Sequence, residues 1–492
     1  MVGALKNSVP HSPPVAFDSY RARPRRSRTA FFTLGLALAV IGCAHAESPI
    51  ERGPWSGAVT PASVVVKAKL APHATTARLL VSTNAELRSP LYSAPDKAGQ
   101  PDGGNVVALT ADHLTPDTSY YYALEVDGNV DQDKRGQFRT FPAGPASFNF
   151  AFASCARTGS TNPVFQTILA HRPLFFMNIG DFHYLNLKEN SRDAFRAGYD
   201  TVLKSPAQAE LYRRVPFIYM WDDHDFAGNS SDGTAHARLA ARLTYQEYVP
   251  HYPLPAGSGD VPIYQAFSVG RVRFILTDLR SERTPDRRRD DASKTMLGAT
   301  QKAWFKHELL AARGKYPLIF WVSTVPWIGE AGKNYYPTAA TQFGHIPLAS
   351  PEELARLAAT GGTTNHPGGG DSWSGYATER RELADFIKEN KIRGLCVLNG
   401  DAHSLAADDG SHADYATGGG ARIPVLQAAP LDQEPRVKGG PFSQGVYKPR
   451  RGEGCFGWVM VRDEGKRLTV SYSGRNHRDE EKIALNLSIP AD

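Results

Sequence analysis

The hydrophobic positions along the chain follow two different patterns. Between residues 50 and 142, short runs of β-branched and aromatic residues, such as 120–126, alternate with turn residues. Asp127-Gly128 is a typical hairpin turn, and residues 137–141 supply a returning strand. This first region is therefore predicted to be a small β-sandwich of roughly 90 residues.

After Pro142 the pattern changes to buried strands alternating with helices. The apolar runs are residues 148–153, 174–179, 217–221, 272–277, 318–323 and 395–398. Helices are predicted to begin at Asn162-Pro163 and to cover residues 300–313 and 378–389. This alternation predicts an α/β fold with a sheet covered on both sides.

In the N-terminal region, residues 114–120 resemble the strand entry of a fibronectin-type-III domain.

Composition and charge exclude several classes of protein. The chain has 492 residues, of which 41% are hydrophobic and 22% charged, and its mean hydropathy is −0.37. These values exclude collagen-like, coiled-coil, disordered and multi-span membrane proteins. Residues 1–46 hold six basic residues and one acid, so +5 of the net charge of +6 belongs to this segment. The main body is nearly neutral, and no nucleic-acid binding face is indicated.

The first 46 residues have the pattern of an export signal. The Arg-rich stretch 21–28 precedes an apolar run, 31–42, and a small-residue cleavage pattern, Ala44-His45-Ala46. Val40-Ile41-Gly42-Cys43 equally resembles a lipoprotein box, in which Cys43 would be acylated. A twin-arginine route and a buried N-terminal helix of a cytosolic protein remain alternatives. We expect a periplasmic, extracellular or lipid-anchored protein of the bacterial envelope, with membrane contact only through Cys43.

Four cysteines are too few for a disulfide scaffold. Cys43 would be removed or lipidated. Cys396 and Cys455 lie in apolar, strand-like contexts, where they are either paired or simply buried. Cys155 differs from them because it directly follows a predicted strand.

Polar residues follow four of the predicted strands at the point where each strand ends. The four blocks are Ser154-Cys155, Gly180-Asp181-Phe182-His183-Tyr184, Asp222-Asp223-His224-Asp225 and Asn399-Gly400-Asp401-Ala402-His403. In an α/β sheet, groups at the carboxyl ends of strands converge on one crevice, so these blocks are expected to meet in space.

The side chains in these blocks are those that bind metal ions. Several carboxylates without a counter-charge would repel each other, and cations are the natural remedy. Carboxylates suit hard cations such as calcium or manganese, whereas a thiolate with a phenolate and an imidazole suits a transition metal such as iron. The mixture indicates two or more unlike ions, and a pair about 4 Å apart is suited to phosphoryl transfer.

The metal-site blocks of the PhoD-type alkaline phosphatases and phosphodiesterases resemble three blocks of this chain. These are Gly180-Asp181-x-x-Tyr184, Trp221-Asp222-Asp223-His224-Asp225 and Gly400-Asp401-x-His403. That family consists of calcineurin-like metallophosphoesterases related to the purple acid phosphatases. Residues 278–280 after a strand and 294–298 before a helix support the resemblance. It implies a two-sheet metallophosphoesterase sandwich flanked by helices, preceded by the small all-β domain.

The resemblance also implies a set of metal ligands: Cys155, Asp181, Tyr184, Asp222, Asp223, Asn229, Asp401 and His403. Asp181 would bridge the metals, and Fe(III) would lie among the thiol, the phenol and the imidazole of this set. Asp223 and Asp401 would hold Ca(II). Asp222 and Asn229 would form a second calcium site.

Other residues receive implied catalytic or positional roles. His224 matches the family's catalytic histidine, which hydrogen-bonds the phosphate or protonates the leaving group. Arg157 is a candidate phosphate clamp, with a surface arginine as the alternative, and His183 either contacts substrate or fills space behind the ligands. Many relatives have a further polar metal-side residue, His or Asn/Gln, where this chain has residues 323–327, and no ligand role is assigned to that segment.

Cys155 and Asp401 distinguish this chain from the purple acid phosphatases, which have Asp and His at those places. The difference favours iron and calcium over a zinc or manganese pair.

The sequence patterns divide the chain into three predicted parts: an export signal (1–46), a β-sandwich domain (47–143) and a catalytic domain (144–492).

The predicted function is hydrolysis of phosphate esters, as a phosphodiesterase, an alkaline phosphatase or both, by in-line attack of metal-bound hydroxide. The substrate would be a phosphate ester, such as an envelope or extracellular phosphodiester, and a monomer is expected. The alternative is a non-catalytic envelope protein that binds glycan or protein through its β-sandwich. No Gly-x-Ser-x-Gly elbow follows a buried strand, which argues against a serine hydrolase.

Overall fold

The computed structural model describes residues 48–98, 104–329 and 371–491, which belong to one compact unit. The predicted export signal and Cys43 lie outside the described residues, as does most of the loop at 335–371. Among the helices of the described part, none combines the length and the apolar character needed to cross a bilayer.

Two small antiparallel sheets form the N-terminal region. One contains β1 (Ile50–Gly57), β2 (Val64–Leu70) and β6 (Val106–Ala111). The other contains β3 (Thr76–Ser82), β4 (Leu91–Tyr92), β5 (Asp96–Lys97), β7 (Ser119–Val126), β8 (Asn129–Val130) and β9 (Gly136–Arg139). Asp127 and Gly128 both have positive φ, 48° and 81°, as the turn between β7 and β8 requires.

This sandwich shares a continuous hydrophobic core with the rest of the compact unit. On the β1–β2 side, the Trp55 indole N–H donates to the Tyr248 carbonyl at 2.9 Å, and Lys67 donates to the carbonyls of Gln246 and Glu247. The division into separate domains at 143/144 stays a prediction.

Two larger sheets form the remainder of the unit. The six-stranded sheet has the order β12-β11-β10-β20-β21-β22, and the seven-stranded sheet has the order β13-β14-β15-β16-β18-β17-β19. The bounds of the first are β10 (Phe148–Ala153), β11 (Phe176–Asn178), β12 (Phe217–Tyr219), β20 (Cys455–Asp463), β21 (Arg467–Asn476) and β22 (Glu481–Pro490). Those of the second are β13 (Gln265–Val269), β14 (Val272–Leu276), β15 (Leu318–Ser323), β16 (Leu395–Asn399), β17 (Leu405–Asp408), β18 (Val425–Ala428) and β19 (Val446–Tyr447).

Helices connect many of these strands. They are α1 (Val164–Ala170), α2 (Arg192–Lys204), α3 (Pro206–Arg214), α4 (Asp223–Phe226), α5 (Arg238–Tyr248), α6 (Ala299–Ala312) and α7 (Ala377–Glu389), with a short 3₁₀ turn at Trp373–Tyr376. The three helices expected from the sequence are α1, α6 and α7, each within two residues of its predicted start.

The alternation of side chains in β15 shows how the layers pack. Phe320 and Val322 belong to the core shared with the six-stranded sheet, whereas Ile319 and Trp321 belong to a second core that includes α6 and α7. In the first core, the Phe320 ring lies 5.4 Å from that of Phe150 in β10. The fold is therefore a sheet-on-sheet sandwich with helices outside, as the family resemblance implied, whereas strand–helix alternation alone predicted one sheet covered on both sides.

Parallel pairing determines where the candidate site lies. Strands β10, β11 and β12 are mutually parallel, as are β14, β15, β16 and β18. The carboxyl ends of β10, β11, β12 and β16 therefore lead directly into the four polar blocks identified in the sequence.

Candidate metal centre

The candidate ligands lie on sharp turns immediately after the strands. Cys155, Asp181, Asp401 and His403 all have positive φ, between 54° and 63°. Residues other than glycine adopt this left-handed backbone conformation at a cost of about 1–3 kcal/mol each, and residues strained in this way cluster at functional sites. The chain thus turns each ligand away from its strand direction and into the crevice.

Hydrogen bonds between the blocks hold these turns in place. The Cys155 N–H donates to the Gly180 carbonyl at 3.1 Å, and the Asp401 N–H donates to Ser154 Oγ at 3.0 Å. Gly400 permits the close approach, because a Cβ there would lie 2.6 Å from the Ile179 carbonyl oxygen. The ends of β10, β11 and β16 are consequently fixed to one another.

The first group of donor atoms combines sulfur, nitrogen and oxygen. Atoms of Cys155, Asp181 and His403 lie within 4.8 Å of one another. Tyr184 Oη donates to Asp181 Oδ2 at 2.5 Å and lies 3.2 Å from His403 Nε2. His403 Nδ1 contacts the Glu434 carbonyl, which leaves Nε2 for the site.

Asp181 also belongs to two further groups with the same 4.8 Å spacing, one with Asp223 and His224 and the other with Asp222 and Asp401. Asp181 is common to all three groups, and its predicted role as a bridging ligand stays a prediction. Asp401 has an oxygen available for a cation, because its Oδ2 atom is buried and has no hydrogen-bond partner among the described residues.

Burial and mutual repulsion make this cluster electrostatically unfavourable. Burial and the neighbouring carboxylates raise the pKa of Asp181 well above its usual value, and they raise that of Asp401 to about 7 against the attraction of Lys438. Burial also raises the pKa of Cys155 and Tyr184 and lowers that of His403 to about 3. Bound cations would stabilise the charged forms of the carboxylates, the thiol and the phenol, and a neutral imidazole can bind a metal ion. These residues therefore fit a metal centre.

Asp222 lies near Asp181 and accepts hydrogen bonds from two other side chains. Both of its oxygens accept from Arg280, each at 2.9 Å, and Oδ1 accepts from Thr324 Oγ1 at 2.7 Å. Thr324 lies within residues 323–327, the segment whose ligand role the sequence leaves open.

The side chain of Asn229 is exposed and donates to Ser230 Oγ at 3.1 Å. Its pairing with Asp222 in a second calcium site stays a prediction.

His224 has a defined orientation. Its Nδ1 lies 2.6 Å from Asn186 Oδ1, and its ring lies 4.1 Å from the Tyr184 ring. Asn186 Nδ2 donates to the Tyr184 carbonyl, and Asn186 Oδ1 also accepts from the Asn229 N–H. Because these two bonds identify the acceptor end of the amide, His224 Nδ1 must be the donor, and Nε2 is left for the site.

Two other residues considered from the sequence lie at the margin. The Arg157 guanidinium is 46% exposed and pairs with Glu434 at 2.9 Å. His183 is fully buried against Phe195 and Tyr199, neither of its ring nitrogens has a hydrogen-bond partner among the described residues, and burial lowers its pKa to about 4. This is a packing position rather than a substrate contact.

The residues that contact the blocks and that sequence reasoning missed include Lys438, Asn186 and the Arg280 side chain. Arg280 was recognised only as part of residues 278–280. Lys438 lies in a Gly- and Pro-containing loop with no strand before it, and Asn186 lies two residues beyond a block. Only spacing close to a known block could have indicated Asn186.

The three cysteines that the structure describes are buried free thiols. Cys396 and Cys455 are therefore not paired with each other.

The two packed sheets and the cluster at their strand ends define a protein of the two-sheet metallophosphoesterase class. The model of the PhoD-like phosphatase matches residues 150–425, and that of the PhoD-like phosphatase N-terminal domain matches residues 36–142. The chain belongs to the PhoD-like phosphatase family, which confirms the predicted family and its phosphoesterase class.

Similar proteins agree with this assignment. Alkaline phosphatase D of Bacillus subtilis (strain 168) is 24% identical over 420 residues, which are 75% of this chain and 66% of that protein. Tartrate-resistant acid phosphatase type 5 of Homo sapiens is 24% identical over 190 residues, 38% of this chain and 55% of that protein. The chain thus spans just under two thirds of the first relative and about half of the second.

Solved structures confirm the fold. The structure of PhoD has a TM-score of 0.68 at 18% identity and covers 90% of this chain and 91% of its own. The purple acid phosphatase PPD1 from yellow lupin (Lupinus luteus) seeds has a TM-score of 0.56 at 12% identity, with 89% and 74% covered.

Proposed function

We propose that this protein is an exported, metal-dependent hydrolase of phosphate esters that acts on phosphodiesters, on monoesters at alkaline pH, or on both. The observation that supports this best is the convergence of the Cys155, Asp181 and His403 donor atoms with two further carboxylate groups that share Asp181. The names of its relatives, alkaline phosphatase D and tartrate-resistant acid phosphatase, agree with phosphate-ester chemistry.

The donor types support an iron and calcium assignment. Fe(III) would be held by Cys155, Tyr184 and His403, with Asp181 shared between the ions, because a thiolate, a phenolate and an imidazole suit iron. Ca(II) would be held by Asp223 and Asp401, because calcium takes carboxylate oxygens. When bound, such ions supply Lewis-acid polarisation of the phosphoryl oxygens and activation of the attacking water.

The chain's own residues would orient the ester and manage its protons. His224 presents Nε2 to the site because Asn186 accepts from Nδ1. In the imidazolium form Nε2 can donate to a phosphoryl oxygen or to the departing oxygen, and in the neutral form it can accept. Asp181, 1% exposed, lies in a crevice that excludes most bulk water, where such interactions are strengthened.

The test is hydrolysis of a chromogenic phosphodiester and of the matching monoester by purified mature protein. Turnover is expected to fall on chelation and to return with calcium. Asp223→Ala is expected to lose at least 100-fold in kcat/KM, whereas Asp193→Asn, a change in an acid 90% exposed on α2, should have no effect. If folded, metal-replete protein hydrolyses neither ester, the non-catalytic envelope-binding hypothesis becomes the better one.

Export is proposed from residues 1–46 and has its own test. Mass spectrometry of protein expressed in a bacterial host should find an N-terminus after Ala46, or a lipidated Cys43. An intact N-terminus on all of the protein would contradict both routes.

A further inference from the structure

A lysine ammonium lies inside the acidic cluster. Lys438 Nζ contacts Asp401 Oδ1, and the two side chains are 20% and 3% exposed. The other oxygen of Asp401, Oδ2, has no partner among the described residues. Asp401 Oδ1 is thus paired with Lys438, and Oδ2 remains available to bind a metal ion.

Guanidinium groups neutralise the adjoining carboxylates in a similar way. Arg280 binds both oxygens of Asp222 at 2.9 Å and also donates to Asp371 Oδ1 at 2.6 Å. Arg283 lies 2.8 Å from the same Asp371 oxygen. The side chains of Arg280 and Asp222 are at most 1% exposed, so this pair is a fixed part of the site.

The balance of charge limits how many metal ions the site can take. Six carboxylates lie in this cluster with three protein cations, Lys438, Arg280 and Arg283. The carboxylates are Asp181, Asp222, Asp223, Asp225, Asp371 and Asp401. Three negative charges remain uncompensated, or five once the Cys155 thiol and the Tyr184 phenol are deprotonated. A trivalent and a divalent ion balance these five charges. A third, divalent ion would leave a buried excess of positive charge, which is strongly unfavourable.

We propose that Lys438, on Asp401, and Arg280, on Asp222, take the place of a second calcium ion, so that the centre holds two metal ions. Lys438 restricts Asp401 to one metal-binding oxygen, Oδ2. The side chain of Asn229, the remaining ligand expected for a second calcium, is exposed and donates to Ser230 Oγ. This proposal rests on the proposed function, whose metal centre it describes in more detail.

The first experiment counts metal ions in the wild-type protein. Purified holoprotein is dialysed against buffered calcium, and iron and calcium per chain are measured by inductively coupled plasma mass spectrometry. One iron and one calcium are expected. Two calcium ions per chain would overturn the proposal while leaving the proposed function intact. Protein that binds no metal and hydrolyses no ester would refute the proposed function and this proposal together.

The second experiment measures calcium binding by titration calorimetry in Lys438→Met and Lys438→Arg. Removing a positive charge beside a divalent ion should tighten calcium binding about tenfold. Lys438→Arg should stay within about threefold of wild type, as should Lys302→Met, a matched change of a lysine paired with Glu382. Unchanged or weaker binding in Lys438→Met would overturn the proposal. If that variant does not fold, the wild-type metal count decides alone.

Discussion

The hydrogen bond between Asn186 and His224 allows a sharp test of how the proposed catalytic histidine is oriented. Asn186→Leu removes the acceptor of the 2.6 Å contact with Nδ1 while keeping similar volume. It also removes the 3.1 Å bond to the Tyr184 carbonyl and the 3.2 Å bond from the Asn229 N–H. The imidazole can then turn, and Nδ1 no longer holds its proton in a fixed place.

The expected loss follows from the size of the interaction. A short hydrogen bond to a group that becomes charged contributes about 1.5–3 kcal/mol. If that energy supports His224 in the transition state, kcat/KM should fall about 10- to 100-fold, since 1.4 kcal/mol corresponds to one factor of ten. Asn186→Asp keeps an acceptor oxygen in the same position, so it should retain activity within a few-fold of wild type.

The assay uses a series of aryl phosphodiesters whose leaving groups differ in acidity. If His224 protonates the departing oxygen, the loss in Asn186→Leu should be largest for the least acidic leaving group. ¹⁵N NMR of the imidazole should show the Nδ1-protonated form in wild type and its loss in the variant. Unchanged kcat/KM would refute the positioning role of Asn186. An equal loss across the series would refute protonation of the leaving group by His224.

Three further results are expected. Arg280→Met should lower the free energy of unfolding by about 3–5 kcal/mol in urea titrations, because it leaves buried Asp222 without its charged partner; a loss below 1 kcal/mol would contradict this. Cys155→Ser should lower iron per chain several-fold without unfolding the protein, and unchanged iron would exclude the thiol as a ligand. Burial, opposed by Glu247 and Asp96, lowers the pKa of Lys67 to about 7. An unfolded lysine titrates near pH 10.4, so the unfolded state binds more protons between these values and stability should rise with pH across pH 7–10, by at most about 1.4 kcal/mol per unit. Lys67→Met should flatten that rise, and an identical slope in both proteins would show that Lys67 does not titrate in this window.

Much of the fold could be predicted from the sequence because its central strands are buried on both faces. Such strands read as continuous apolar runs, as in Leu318–Ser323 (β15), and their ends are marked by a change to polar residues. The antiparallel strands β20, β21 and β22 were not identified. Strand β22 alternates exposed and partly buried positions, a weaker pattern that depends on the neighbour with which it pairs.

The candidate site was predictable to the extent that its residues follow strands. Cys155, Asp181 and His403 come together because strands of the two packed sheets, β10 and β11 in one and β16 in the other, end at the same crevice. The ends of these strands can be recognised in the local sequence. Lys438 and Asn186 reach the cluster from loops. Their approach is determined by tertiary packing, and nothing in the residues around them specifies it.

The residues that converge on this site also violate ordinary preferences of folded chains. Asp181 and Asp401 combine left-handed backbone with burial among like charges, and Asp401 keeps a buried oxygen that no described residue hydrogen-bonds. Each of these features alone destabilises the fold, and proteins retain such conflicts mainly where function requires them. A bound cation removes two of the three conflicts at once, because it neutralises the carboxylates and coordinates the unpaired oxygen. The backbone strain would then be the remaining cost of directing several unlike ligands, from separate strands, toward one place.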